Sequence, residues 1–416
     1  MILKILIQSL CILYPSWVYT TPLKTKDVVY NKPTIFRVQT LNDTLHYTQV
    51  ETQTYIHFID EAWAKLIVLG EHAIEQQIDY YALRMRIGIA YYNQKKYFQA
   101  AKHFQKAFQF NSGDTLVQEY LYFSLLFSDQ PQEATYTSRK FDSSLNAHLR
   151  IKQHEPLKFI YLEAGQKNSR YDAQKLSSIG TMSFMHVGVA HSFQKVVHLY
   201  HGYSYLQQDF FVGNFKQHEY YVKAEFPRGK GWTISPAIHL LFSRFLTKNV
   251  PIPVTTANTY FVGSLQVEKY FSMFRFATAI SYGTLAGTTQ VQVSPEVTLY
   301  PLQTTKLALT TSIFAQTQSS KNYFGMKQAI RMQVLQPLSI QLDYFQGTMR
   351  NFNESNAYLV NNSVDVTQNR ISVLTNLAIS TPFQVYMGGQ FEQKEEFSTK
   401  ETYQYGTFLA GLKYNF

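Results

Sequence analysis

The chain has 416 residues, a formal net charge of +10, 16% charged residues and 16% aromatic ones, including 31 Tyr and 31 Phe. An ordinary soluble domain carries roughly 25% charged residues, while the mean hydropathy of −0.21 excludes a bundle of apolar membrane helices. The scattered Lys and Arg argue against a nucleic-acid surface, and the single Cys11 excludes an internal disulfide or a Cys-type zinc site. What remains is a soluble β-rich protein or a membrane barrel, in which alternate residues meet lipid and a polar lumen.

Residues 1–20 combine Lys4, an apolar stretch from Ile5 to Tyr14, and small residues near Thr20, the layout of a signal peptide. The apolar part is shorter than the roughly 20 residues a spanning helix needs. Residues 21–40 read as a linker.

Residues 41–150 carry a helical period. Within Tyr81–Asp114, the residues Gly88, Tyr91, Tyr97, Ala100, Phe104 and Ala107 fall at the offsets of a tetratricopeptide (TPR) repeat. Gly88 and Ala100 are small where two antiparallel helices cross, Tyr91, Phe104 and Ala107 face the seam, and residues 93–96 form the polar turn. Arg84 stands where the repeat usually has Trp, and Ser112 where it has Pro. A single repeat cannot bury its own face, so two or three are expected, the third turning at Ser128-Asp129-Gln130-Pro131. Such a domain would offer a surface for a periplasmic protein partner, or act as a spacer or cap.

From residue 157 to 416 the period becomes two. In the last segment Phe408, Ala410, Leu412, Tyr414 and Phe416 share one face, and Tyr405, Thr407, Gly411 and Lys413 the other. Short turns expected at 194–195, 228–231, 272–273, 302–305, 336–337 and 381–382 alternate with longer or more polar connections at 168–178, 212–214, 248–257, 285–288, 318–321, 353–367 and 398–401. This predicts an antiparallel transmembrane β-barrel of about 14 strands, within a range of about 12–16. Pro236 and Pro295 fall inside strands, where they need a bulge or a poorly paired position. The longest loop, 353–367, could fold inward. The alternation aims Glu163, Glu219, Lys223, Glu225, Glu268, Arg275, Glu296, Lys306, Lys327, Arg331, Asp343, Arg370, Glu392 and Lys394 at the lumen, as a channel wall or as salt bridges filling a barrel.

Enzyme chemistry finds little support. There is no GxSxG, HExxH or phosphate-binding glycine loop, so no catalytic residues and no cofactor are assigned. His186, His191, His198 and His201 lie close in sequence, but no Asp or Glu sits beside them to orient an imidazole, and hydrogen-bonded or interfacial histidines are expected rather than a metal site.

The terminal Leu412, Tyr414 and Phe416 resemble the C-terminal insertion signal of bacterial outer-membrane proteins. With the signal peptide and the repeat before it, the order of parts resembles YaiO-like barrels and the cellulose and poly-N-acetylglucosamine export porins. That resemblance implies a Gram-negative outer membrane, recognition of the last strand by the barrel-assembly machinery, a periplasmic repeat domain, and passage of a polysaccharide or other polar solute. The alternative is a closed barrel that anchors the repeats as a protein-interaction adaptor. An open lumen favours the first, and a lumen crossed by salt bridges the second.

Overall fold

The computed structural model describes residues 45–152, 154–170, 179–248, 251–363, 365–397 and 399–416. The expected signal peptide and linker lie outside the described residues, as does most of the first long connection.

Among the described residues seven α-helices come first: α1 (Tyr47–Ile59), α2 (Trp63–Glu75), α3 (Tyr81–Asn93), α4 (Tyr97–Phe110), α5 (Thr115–Phe127), α6 (Pro131–Thr137) and α7 (Ser143–His148). From α1 to α6 each helix packs against the next. At the α3–α4 seam a Cβ on Gly88 would stand 2.6 Å from the Phe104 ring, so only glycine permits this approach. Ala100, Phe104 and Ala107 are fully buried there. Phe104 stacks on Tyr120 of α5 at 5.0 Å, and Tyr97 meets Phe127 at 4.8 Å. Arg84 lies buried in the same domain because Asp79 accepts its Nε and Nη2 at 2.6 and 2.9 Å. A polar triad joins α2, α3 and α4: Glu71 accepts from Tyr91 Oη and from His103 Nε2, both at 3.0 Å. Burial pushes His103 down, against the opposing pull of Glu71. These bonds hold Glu71 at about 2, well below the usual carboxylate range.

Sixteen strands follow in chain order, β1 (Glu155–Arg170) to β16 (Thr402–Asn415). Fourteen of them, β1–β11 and β14–β16, close into one antiparallel barrel in which β1 pairs with β16. The closing register sets Leu162 against Leu412 and Ile160 against Tyr414. Closure removes the unpaired edges that an open sheet would expose, a requirement of any backbone in hydrocarbon. The short β12 (Asn353–Glu354) and β13 (Leu359–Val360) form a separate hairpin.

The period of two sorts the side chains. Phe408, Leu412, Tyr414, Ile238, Ile280 and Ile371 stand exposed on the outer wall, while Tyr405, Thr407, Lys413 and Glu392 turn inward and are buried. Such an apolar outer wall on a closed barrel is a membrane-facing surface. Both prolines sit at gaps in a ladder. β4 (Gly213–Gly229) and β5 (Trp232–Thr247) are unpaired between Lys223 and Phe226, opposite Pro236. β8 (Thr288–Leu299) and β9 (Leu307–Gln318) are unpaired between Val293 and Glu296, around Pro295.

Connections at one rim adjoin the helices, and those at the opposite rim are called far-rim loops below. The expected alternation of short turns at one rim with longer loops at the other holds in part: 272–273 and 336–337 on the helical rim are short, and 248–254 and 350–365 on the far rim are long. At the far rim Phe211-Val212, Ala286-Gly287 and Ser319-Ser320 are two-residue turns, whereas 301–306 on the helical rim is longer. The left-handed backbone of Ala286, Ser319 and Ser320 closes those tight turns without glycine at every position. Lys306, expected in the lumen, lies exposed on the 301–306 turn because β9 begins only at Leu307.

Candidate functional site

The lumen is the concave, charge-bearing feature of the molecule, and the chain itself enters it from both ends. From the far rim, residues 351–361 fold inward between β11 (Leu338–Met349) and β14 (Val366–Ala378). Asn353 pairs with Val360 and Glu354 with Leu359, and Ser355, Asn356 and Ala357 make the hairpin tip in left-handed backbone. Ala357, Tyr358 and Glu354 are at most 2% exposed, so the hairpin is core rather than surface loop.

Several of its polar groups bond to the wall on opposite sides. Glu354 accepts from Lys327 Nζ at 2.9 Å and from Arg370 Nη2 at 2.8 Å. Gln292 donates to the Asn353 carbonyl at 2.6 Å, and Asn353 Nδ2 donates to Ser281 at 2.8 Å. On the opposite wall, Tyr221 Oη donates to the Asn356 carbonyl at 3.1 Å, and His239 Nδ1 to that of Ala357 at 2.7 Å. His239 Nε2 lies 3.1 Å from Glu219. Tyr358 sits in an aromatic cage, its ring 4.9 Å from Tyr221 and 5.7 Å from both Tyr200 and His186. Phe352 stacks on Phe345 at 5.4 Å. A loop that buries its backbone polar groups must pair them, and these contacts do so for the carbonyls of Asn353, Asn356 and Ala357.

From the helical rim, the turn between α5 and α6 occupies the other mouth. Asp129 accepts from Arg331 Nη2 at 2.9 Å and from Tyr300 Oη at 2.5 Å, and its carbonyl accepts from Tyr270 Oη at 2.7 Å. Gln132 donates to Glu225 at 2.9 Å, and Phe98 packs on Tyr300 at 5.0 Å. Burial raises the Glu133 carboxyl against the opposing pull of the Lys230 and Gly231 amides. Gly231 has φ +77° at this rim, a conformation that disfavours any other residue.

Between the two insertions lies a chamber of about 130 Å³, bounded by Asp129 at one end and by Ser355, Asn356 and Tyr358 at the other. Known ligand pockets run about 300–1,000 Å³, so the chamber is sized for a handful of waters. Its wall holds Lys223 and Glu225 at 2.7 Å, with Arg275 on Glu268 at 3.2 Å and also on Glu296. Asp343 accepts from Gln341 at 3.0 Å. Toward the far rim, Glu392 is fully buried with Lys167 at 3.2 Å and Lys394 at 3.9 Å.

The structure thus turns Glu163, Glu219, Lys223, Glu225, Glu268, Arg275, Glu296, Lys327, Arg331, Asp343, Arg370, Glu392 and Lys394 inward. Lys223, Glu225, Glu268, Arg275, Glu296, Lys327, Arg331 and Asp343 line the one chamber together, whereas Glu392 with Lys394 stands apart from it toward the far rim. Of the four clustered histidines, His186 and His198 are buried on the inner side, while His191 and His201 face outward with Nε2 atoms 3.0 Å apart. Among the described residues no three His, Cys, Asp or Glu side chains converge as a metal set. Reading the sequence missed Glu354, Asp129, Lys167, His239 and Tyr358 as lumen groups. For Lys167 and His239 the inward parity was there to be read, but Glu354, Asp129 and Tyr358 lie outside the barrel strands.

No protein-family model matches the chain, and no curated protein matches it. Among solved structures, the chain is similar to the Acinetobacter baumannii outer membrane protein Omp33, at 11% identity over 63% of this chain and 99% of that one, with a TM-score of 0.36. It is also similar to a Pseudomonas aeruginosa FadL homologue (7% identity, 70% and 94% coverage, TM-score 0.41). A third is the Pseudomonas putida toluene transporter TodX (5%, 63% and 91%, 0.44).

Proposed function

We propose that this chain is a Gram-negative outer-membrane barrel, closed at rest, that anchors the helical domain in the periplasm as an interaction adaptor. The observation that carries this reading is the double occupation of the lumen: residues 351–361 fill one half and the Asp129 turn seals the other. A chamber of about 130 Å³ passes no polymer. Helices docked through the Asp129–Arg331 ion pair and the hydrogen bonds of Tyr270, Tyr300 and Gln132 are held in a fixed pose, which suits presentation of a repeat surface to a periplasmic protein. The last strand, with Leu412, Tyr414 and Phe416 outward, supplies the signature that the barrel-assembly machinery reads.

A second reading is supported by the chamber wall. Tyr200, Tyr221, Tyr270 and Tyr300 beside paired acids and bases suit sugar rings and hydroxyls, so a polysaccharide or other polar solute could pass once both insertions withdraw. Planar-bilayer conductance of the full chain separates the two. A folded wild type that stays silent under voltage and with added glycan oligomers supports the anchor. Conductance steps that glycans block support the conduit and overturn the closed reading.

A further inference from the structure

On the outer wall near the far rim, two cations stand directly opposite each other on adjacent strands. Lys216 of β4 and Arg244 of β5 are register partners, each three residues from the end of the paired ladder at Gly213 and Thr247. Both are exposed, and their parity matches the outward Tyr220 and Phe242. Like charges directly opposite each other destabilise a sheet. Among the described residues neither has a carboxylate or a hydrogen-bond partner. The acid on the same face, Asp209, is already held by Asn214 Nδ2 at 2.5 Å and Lys248 at 3.6 Å.

Further donors complete the patch. Gln207 of β3 (Val197–Phe210) is the register partner of Lys216 on its other side. Its Oε1 accepts from Tyr205 Oη at 3.0 Å, which leaves the amide hydrogens to point elsewhere. His218, two residues along β4, is fixed through Nδ1 by Tyr203 Oη at 2.6 Å. An ammonium, a guanidinium, an amide and an imidazole therefore share one face, flanked by Phe242, Tyr203 and Tyr220. A cation on the lipid face is tolerated near a membrane interface and is far more costly at the midplane.

We propose that Lys216 and Arg244 bind the phosphate of a membrane lipid headgroup at the far rim. Guanidinium and ammonium groups make charge-assisted bonds to phosphate oxygens, and an anion between them turns the cross-strand repulsion into a bridge. The occupant is a lipid rather than a soluble anion because the pair faces the apolar wall, not the lumen. The site rests on the barrel spanning a bilayer, whichever leaflet meets the far rim.

The test uses the full chain in phosphatidylcholine vesicles, with or without a bisphosphorylated glucosamine lipid in both leaflets, or with inorganic phosphate instead. Lipid retained on the extracted barrel is measured by native mass spectrometry, and unfolding by the heat-modifiable gel shift. The wild type is expected to retain the phosphorylated lipid and melt at higher temperature in its presence. K216Q/R244Q should lose both effects, with retention down about tenfold or more, while K321Q at another far-rim turn keeps them. Equal retention by the double variant, or equal stabilisation by inorganic phosphate, would overturn the lipid site while leaving the membrane barrel standing. A chain that does not insert at all would overturn both.

Discussion

Glu354→Gln is the sharpest perturbation of the lumen. The carboxylate is 2% exposed and is the shared anion of Lys327 at 2.9 Å and Arg370 at 2.8 Å. Neutralising it leaves two buried cations without their counter-charge, and breaking a buried pair costs about 3–5 kcal/mol. Because that loss is felt only while the hairpin is seated, it shifts the seated-to-released ratio by about 150- to 5,000-fold. The hairpin keeps its bonds through Asn353, Asn356 and Ala357, each worth about 1 kcal/mol, so release becomes frequent but not permanent. The assay is maleimide labelling of a cysteine at Ala357, which is fully buried when seated. Its rate in the native barrel tracks the released fraction and is blind to the plug at the other mouth. Glu354→Gln should raise that rate by two orders of magnitude or more, and adding Lys327→Gln should recover part of the loss. A rate within about tenfold of wild type, in a barrel that still shows its heat-modifiable shift, would refute the latch.

Asp129→Asn should loosen the helices from the helical rim, since the carboxylate is the counter-charge of Arg331 and the acceptor of Tyr300. Limited proteolysis should then cleave at residues 128–132, with the barrel core intact. Gly88→Ala should cost the helical domain about 1–3 kcal/mol by overpacking, because the new Cβ meets Phe104 at 2.6 Å; helix melting by circular dichroism measures it. The Glu71 carboxyl is held at about 2 when folded, so its stabilising effect is full above the ordinary carboxylate pKa of about 4.5 and fades as pH falls towards 2. His103→Phe should flatten that acid-side slope in helix melting. Deleting Phe416 should slow membrane assembly of the barrel, read as unmodified band in the heat-shift gel, with little effect on the helices.

The barrel and its parity were legible in the residues because lipid and lumen impose opposite chemistry on alternate positions. Thus Phe408, Leu412 and Tyr414 could be told from Thr407 and Lys413 without coordinates. The small residues Gly88 and Ala100 likewise announced two helices at close approach, and the charged lumen list followed from the same period of two. Loop length was misread at a few connections only, such as 286–287 and 319–320, where left-handed Ala286 and Ser320 close tight turns. What the tertiary structure alone decided is how those inward charges are used. Glu354 and Tyr358 lie in a loop with no periodicity, and Asp129 in a turn between helices some two hundred residues before Arg331, separated by 202 positions in sequence. A local pattern reports which face a residue takes within its own element. Which distant carboxylate neutralises a buried Arg or Lys depends on closure of the barrel, which brings Asp129 to Arg331 and Glu354 to Lys327 and Arg370.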